Sequence, residues 1–226
     1  MTDVAAALTS VRARIAAACA RAGRAPESVQ LLAASKFQSA AAIRSAYRVG
    51  QRDFGENYVQ ELAKKAAELS ELDGLRWHLI GRLQSNKVKD VLRLGCVVQT
   101  LDSQRLCEAL AQRAAAANKR IQVFLQVNIS AEPQKAGIAI DELPQLVAAV
   151  RASGALELRG LMAVPRDTED LAETRAAFRH LRELAAELGV SELSMGMSDD
   201  LELAIEEGAT LVRVGTALFG ARPPRE

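Results

Sequence analysis

The sequence predicts an α/β protein built as a single (β/α)8 barrel of the TIM type, with an extra helix at its N-terminus. Short apolar runs of strand length alternate with segments of helical periodicity, which predicts a parallel sheet with crossover helices. Eight such pairs can be counted, the number that closes this kind of barrel. An open, doubly wound sheet is the alternative. Because no linker or change of composition divides the chain, one domain over residues 1–226 is expected.

The N-terminal half supplies the extra helix and the first four strand–helix pairs. Residues 3–22 carry apolar side chains at helical spacing, and Gly23 and Pro26 end that helix. Ser39 and Asp102 are placed to cap the helices that follow the first and fourth strands. The four strands are predicted at residues 29–36, 52–57, 75–80 and 96–100.

The C-terminal half supplies the other four pairs. Its strands are expected at residues 121–128, 156–163, 192–195 and 210–214. Thr168 is expected to cap the long helix after the sixth strand, and Gly189 to end it. The apolar stripe of that helix is Leu171, Phe178, Leu181, Leu184 and Leu188. The tail at residues 221–226 contains two prolines and is expected to be frayed.

Composition excludes several classes of protein. The formal net charge of +1 and the aromatic content of 4% give no basis for binding nucleic acid or a membrane surface. No run approaches the roughly 20 apolar residues of a membrane span. Arginines interrupt the N-terminal apolar residues, so no secretory signal is predicted. Three cysteines without paired spacing and two histidines without ligand spacing indicate reduced thiols in a cytoplasmic protein and no metal site.

Lys36 is the first candidate functional residue. It ends the first predicted strand, VQLLAASK, where strand alternation would put it on the same face as Leu32 and Ala34. A lysine amine that is desolvated among apolar side chains loses pKa and can attack an aldehyde. The alternative is a lysine that ends a strand in solvent, and strand position alone favours it.

The segments after the last two strands suit a phosphate group. Ser198 is expected at the N-cap of a helix in SMGMSDD, and Gly215 and Thr216 open a final turn in RVGTALFG. Backbone N–H groups, small residues and hydroxyls at these positions are typical of phosphate sites in such barrels. Plain helix capping is the alternative for each segment. Asp199 and Asp200 would repel a phosphate unless both point away from it.

Arg213 is the third candidate. In the eighth strand it shares a face with Leu211 and Gly215, one residue from the barrel mouth. An arginine among apolar neighbours needs a partner. A structural salt bridge and a ligand contact are equally open from the sequence.

Six motifs give the chain a resemblance to a known family. They are LLAASK ending at Lys36, GQRDFGENYVQE at 50–61, WHLIGRLQSNK at 77–87, VNIS with KAG at 127–137, GLMAV at 160–164 and the block 194–220. Together they resemble the pyridoxal phosphate homeostasis proteins, whose fold is similar to the N-terminal barrel of bacterial alanine racemase. The resemblance implies that Lys36 forms a Schiff base with pyridoxal 5′-phosphate. It also implies that Ser198, Gly215 and Thr216 hold the phosphate, that Arg213 faces the pyridine nitrogen, and that Asn57 lies near the cofactor.

The implied function is pyridoxal phosphate homeostasis (vitamin B6 balance) in the cytoplasm, without robust catalytic turnover. An arginine only donates hydrogen bonds, so the ring nitrogen facing it would be unprotonated and the ring a poorer electron sink. Alanine racemase takes a second base from a C-terminal domain, for which the six residues after Gly220 leave no room. The expected partners are PLP-dependent apo-enzymes or PLP-synthesising enzymes, and a monomer is expected. The alternatives are a weak single-base racemase and a barrel that uses Lys36 for aldolase-type chemistry without PLP.

Overall fold

Eight parallel strands form a closed barrel in the computed structural model, which describes residues 3–220. In chain order, β1 to β8 are Gln30–Ala34, Asp53–Glu56, Arg76–Leu79, Val97–Leu101, Ile121–Gln126, Leu156–Met162, Glu192–Ser194 and Leu211–Val214. Each strand pairs with its neighbours in sequence, and β1 pairs with β8 to close the cylinder, with Ala33 opposite Val214. The predicted (β/α)8 barrel is therefore confirmed, and the open doubly wound sheet is wrong.

A helix follows every strand, and one helix precedes β1. In chain order, α1 to α9 are Val4–Arg21, Ala40–Arg48, Val59–Glu68, Val88–Leu94, Gln104–Ala116, Leu143–Ala152, Leu171–Glu187, Leu201–Glu206 and Thr216–Phe219. No helix within residues 3–220 combines the length and apolar character needed to cross a membrane. The tail expected at residues 221–226 lies outside the part of the chain that the structure describes.

The extra helix α1 joins the first and last parts of the barrel. Asp3 caps it by accepting hydrogen bonds from the backbone N–H groups of Ala5 and Ala6. Most of its predicted apolar stripe is buried, and α1 packs against α8 and α9; the buried residues are Leu8, Val11, Ile15, Ala18 and Cys19. The helix therefore covers the elements that follow β7 and β8.

The main apolar core lies between the strands and the surrounding helices. Phe54 on β2, Leu62 on α3 and Phe178 on α7 are among its fully buried side chains. Burying a side chain of this size contributes about 1.5–3 kcal/mol. Inside the barrel the strands instead carry several polar side chains, of which His78 and Gln99 are both buried. The barrel interior therefore contains polar side chains as well as apolar ones.

Two predicted helix caps are displaced along the chain. The N-cap of α7 is Asp170, whose carboxylate accepts from the N–H groups of the first turn, while Thr168 accepts from the Asp170 N–H instead. The N-cap of α5 is Ser103, one residue beyond Asp102. Ser39 caps α2 as predicted. Both N-cap positions have extended backbone, but only Asp170 makes a side-chain capping hydrogen bond.

Candidate functional site

The predicted site residues lie at the C-terminal ends of four neighbouring strands. They are Lys36 after β1, Asn57 after β2, Ser198 after β7, Arg213 within β8, and Gly215 and Thr216 directly after β8. Around the barrel these strands follow one another in the order β7, β8, β1 and β2. Because parallel strands end at the same rim, one barrel mouth holds all six residues.

Lys36 occupies a turn and not the end of a strand. β1 ends at Ala34, and the Gln38 N–H donates to the Ser35 carbonyl at 3.0 Å. Lys36 and Phe37 are therefore the central residues of the turn, with Phe37 at a φ of 64°. The prediction that strand alternation orients Lys36 is wrong, because the chain leaves the sheet before reaching it. The half-buried Lys36 is positioned by the turn.

A buried polar cluster anchors both neighbours of Lys36. We define the Lys65 cluster as Ser35, Glu56, Glu61 and Lys65. The Lys65 Nζ donates to the Ser35 carbonyl at 2.7 Å, to Glu56 Oε1 at 2.8 Å and to Glu61 Oε1 at 2.7 Å. The Ser35 hydroxyl donates to Glu56 Oε1, and the Phe37 N–H donates to Glu61 Oε1 at 2.7 Å. Burial raises the pKa of the Glu56 carboxyl, although the positive charge of Lys65 acts to lower it.

A direct hydrogen bond joins the segments after β7 and β8. The Ser198 hydroxyl accepts from the Ala217 N–H at 3.3 Å, at the start of α9. The prediction that Ser198 is the N-cap of α8 is wrong, because Asp200 occupies that position. The Asp200 carboxylate accepts from the Met197 N–H at 2.5 Å, so it bonds within its own loop. Burial raises the pKa of Asp200.

Arg213 is a buried cation whose hydrogen-bond acceptors are all neutral. It is 5% exposed, and it donates to the Ser194 carbonyl at 2.6 Å, the Ser194 hydroxyl at 2.8 Å and the Ala163 carbonyl at 2.9 Å. Burial lowers the pKa of Arg213 to about 10, with Asp200 acting to raise it, so the guanidinium stays charged at neutral pH. Among residues 3–220, Arg213 makes no salt bridge. Three of its five N–H groups are used, which leaves donors for a ligand.

Comparison with known proteins decides the family. The family described as alanine racemase, N-terminal domain, matches residues 7–223. The pyridoxal phosphate homeostasis protein of Pseudomonas aeruginosa is 49% identical over 224 residues, which cover 98% of this chain and 97% of that protein. This chain belongs to the pyridoxal phosphate homeostasis protein family.

Two further similar proteins agree with this assignment. The pyridoxal phosphate homeostasis protein of Escherichia coli K12 is 44% identical over 229 residues, which cover 98% of each chain. The solved structure of PipY from Synechococcus elongatus with PLP bound has a TM-score of 0.83 and 42% identity, covering 96% of this chain and 100% of that one. The family fold therefore extends over nearly all of the chain.

Gly81 fixes the backbone of Asn57 in this family member, and sequence analysis missed its role. A Cβ at Gly81 would overlap the Asn57 carbonyl group and Cα. The loop after β3 therefore lies directly against the loop after β2. The Thr100 hydroxyl donates to the Gly81 carbonyl at 2.8 Å and holds the contact from β4. The sequence feature that could have indicated this close contact is a glycine immediately after a predicted strand.

Arg14 on α1 supports the Ser198 loop, and its role was also missed. Its guanidinium donates to both oxygens of Glu202, at 2.6 and 2.8 Å, and to the Ser198 carbonyl at 2.8 Å. A two-pronged arginine–carboxylate pair has a defined orientation. The hydrogen bond from Arg14 lowers the pKa of Glu202. The extra helix thus reaches the candidate site through one arginine.

Proposed function

We propose that the chain binds pyridoxal 5′-phosphate at this mouth and serves intracellular PLP homeostasis, with Lys36 holding the cofactor as a Schiff base. Residues 1–226 would act as one PLP-binding domain. The observation that carries the proposal is the buried guanidinium of Arg213, which has neutral acceptors and lies on the strand next to that of Lys36. The names of these relatives and the PLP-bound PipY structure support it.

The donor set at the mouth fits the cofactor's phosphate. Ser198 and Thr216 supply hydroxyls, and Gly215 brings the chain close to β1, since a Cβ there would be 3.2 Å from the Ala34 carbonyl oxygen. Hydroxyls and backbone N–H groups at a tight turn are what a phosphate needs. The Asp200 carboxylate is bonded to the Met197 N–H within its own loop, and Asp199 is exposed.

The remaining residues fit the ring and the aldehyde. Bound pyridoxal phosphate supplies an aldehyde that reacts with amines and a pyridine ring that withdraws electrons. Lys36 would provide the amine, and Asn57 follows β2, the strand that pairs with β1. Arg213 provides a donor that cannot accept a proton, so it holds the ring nitrogen as an unprotonated acceptor.

The protein would hold PLP without robust turnover. By holding the ring nitrogen unprotonated, Arg213 weakens the electron withdrawal on which amino-acid chemistry depends. A weak single-base racemase is the alternative. The discriminating measurement is α-proton exchange of several amino acids with the PLP-loaded protein. Exchange no faster than with free PLP is expected, and exchange well above it would favour the enzyme.

The partners would be PLP-dependent apo-enzymes or PLP-synthesising enzymes that dock at the mouth. Among the exposed large apolar side chains, Tyr58 (51%), Val164 (38%) and Met197 (41%) lie in loops that follow strands, and Leu171 (61%) begins α7. Such side chains at one rim support a transient contact with another protein. The protein would act in the cytoplasm as a monomer between these contacts. Its free, buried cysteines fit a reducing compartment.

Trapping the adduct tests the proposal. Purified protein is titrated with PLP, followed by its visible absorbance, reduced with borohydride and mapped by peptide mass spectrometry. We expect one reduced adduct, on Lys36, and its loss in Lys36→Ala. Lys64→Ala, which removes an exposed lysine of α3, is the control and should retain the adduct. An adduct spread over surface lysines, or none at all, would contradict the proposed site.

A further inference from the structure

Five buried polar side chains cross the barrel interior in an unbroken series of hydrogen bonds. We call Arg213, Ser194, Gln99, His78 and Asp53 the interior chain. Their successive distances are 2.8 Å from Arg213 to the Ser194 hydroxyl, 2.6 Å from there to Gln99 Oε1, 2.9 Å from Gln99 Nε2 to His78 Nδ1, and 3.3 Å from His78 Nε2 to Asp53 Oδ1. None of the five is more than 5% exposed.

The hydrogen bonds of the interior chain all run in the same direction. Because Arg213 can only donate, the Ser194 hydroxyl accepts from it and gives its own proton to Gln99. Gln99 must then present its oxygen to Ser194 and its N–H to His78 Nδ1. The neutral His78 ring, assigned in this way, carries its proton on Nε2 and directs it at Asp53. All the bonds point from the cation to the carboxylate.

The Asp53 end of the interior chain opens at the opposite mouth. Asp53 is the first residue of β2 and lines a cavity of about 420 Å³ with Arg76, Arg159 and Glu192. Arg76 donates to both carboxylate oxygens of Asp53. Burial acts to raise the pKa of Asp53, but hydrogen bonds from His78, Arg76 and Gln30 lower it to about 2. The interior chain therefore ends on a fixed negative charge.

We propose that the interior chain positions Arg213 and couples the cofactor end of the barrel to the Asp53–Arg76 ion pair at the other end. Within residues 3–220 no carboxylate accepts a hydrogen bond from Arg213, so its direction depends on Ser194 and the Ala163 carbonyl. Ser194 is in turn held by Gln99. Gln99 is then a positioning residue that acts through Ser194. The coupling to the cofactor ring rests on the proposed function, whereas the positioning of Arg213 does not.

The first test uses the ligand-free protein. Gln99→Glu removes the donor toward His78, because an ionised carboxylate only accepts, so His78 must place a proton on Nδ1. We expect nitrogen NMR to show that change at His78 and a shift of the Arg213 side-chain signal. Gln122→Glu is the matched control, since Gln122 lines the same cavity but lies outside the interior chain, and neither signal should move. An unmoved Arg213 signal in both Gln99→Glu and Ser194→Ala would overturn the positioning role.

The second test uses the PLP-loaded protein. Gln99→Glu should shift the visible absorption band of bound PLP and weaken its binding about fivefold, whereas Gln122→Glu should do neither. If the wild type binds PLP and the variant matches it in both readouts, the coupling is overturned. If the wild type takes up no PLP, the proposed function fails, and the Arg213 signal alone decides the positioning role. Ser194→Ala breaks the next link and should move the Arg213 signal even where Gln99→Glu does not fold.

Discussion

At the scale of single residues, the position of Asn57 depends on the absence of a side chain at Gly81, in the neighbouring loop. Gly81 contributes no Cβ, so its loop can rest on the Asn57 carbonyl group. The contact involves backbone on one side, and backbone cannot rotate away as a flexible side chain can. Any residue larger than glycine must therefore move one of the two loops, and both border the candidate site.

Replacing this glycine tests the contact. Gly81→Ala should lower the free energy of unfolding by about 3 kcal/mol, the upper range for forcing an extra carbon into a packed site. Urea denaturation measures the change. Gly23→Ala is the control, because a Cβ there has nothing within 4 Å and meets only the strain of a φ of +65°. That strain should cost about 1–2 kcal/mol. Equal losses in the two variants would contradict the close contact at Gly81.

At the scale of elements, helical periodicity identifies the buried apolar face of α3 but not the buried lysine on it. Helical spacing puts Val59, Leu62, Ala63, Ala66 and Leu69 on one face, of which Val59, Leu62 and Leu69 are buried and the two alanines are half-buried. The same face also buries Lys65, at 6% exposure, which the pattern alone would assign to solvent. Its partner Glu56 lies on β2, and the carbonyl group that Lys65 binds belongs to Ser35, directly after β1. Spacing within one helix carries no information about partners on two other strands.

Removing the Lys65 charge should destabilise the protein strongly. Lys65→Met leaves two carboxylates, Glu56 and Glu61, without their shared cation, and breaking a buried ion pair in this way costs about 3–5 kcal/mol. Thermal or urea unfolding measures the loss. Lys64→Met changes the adjacent, exposed lysine of α3 and should stay within about 0.5 kcal/mol of the wild type. A mild effect of Lys65→Met would mean that the Lys65 cluster does not anchor the Lys36 turn.

The end of the first strand follows from the same cluster. Alternation predicted a strand through Lys36, yet β1 ends at Ala34. Glu56 and Lys65 bind Ser35, and Glu61 binds the Phe37 N–H, so the chain turns there. Similarly, Leu171 belonged to a predicted apolar stripe but is 61% exposed, because it is the first residue of α7. Local patterns place elements well and their ends poorly.

At the scale of the whole molecule, the barrel could be predicted because its signal is local and repeated. Each strand–helix pair can be recognised by itself, and the rule that function gathers at the C-terminal ends located the mouth. The interior chain could not be predicted in this way. Its hydrogen bonds join residues 25 positions apart between Asp53 and His78, and 95 apart between Gln99 and Ser194. Such pairs become neighbours only when the barrel closes.

The pH dependence of stability follows from the Asp53 end of that interior chain. The pKa of Asp53 is lowered from 3.8 to about 2 in the folded protein. In the unfolded chain the carboxylate therefore binds a proton at a higher pH than in the barrel. Its stabilising contribution is complete above about pH 4 and is lost as the pH falls toward 2, because protonation then favours the unfolded state. The contribution amounts to about 2 kcal/mol.

Asp53→Asn should remove this pH-dependent part of the stability. At pH 6 the free energy of unfolding of the variant is expected to be at least about 2 kcal/mol below that of the wild type. This gap between the two free energies of unfolding should narrow as the pH falls from about 4 toward 2.5. Urea titrations at several pH values in that range measure it. Asp73→Asn, which changes an exposed carboxylate in the loop before β3, should leave the profile of the wild type unchanged. A gap that stays constant from pH 6 to 2.5 would show that Asp53 is not held as an anion by His78 and Arg76, and that the interior chain does not end on a fixed charge.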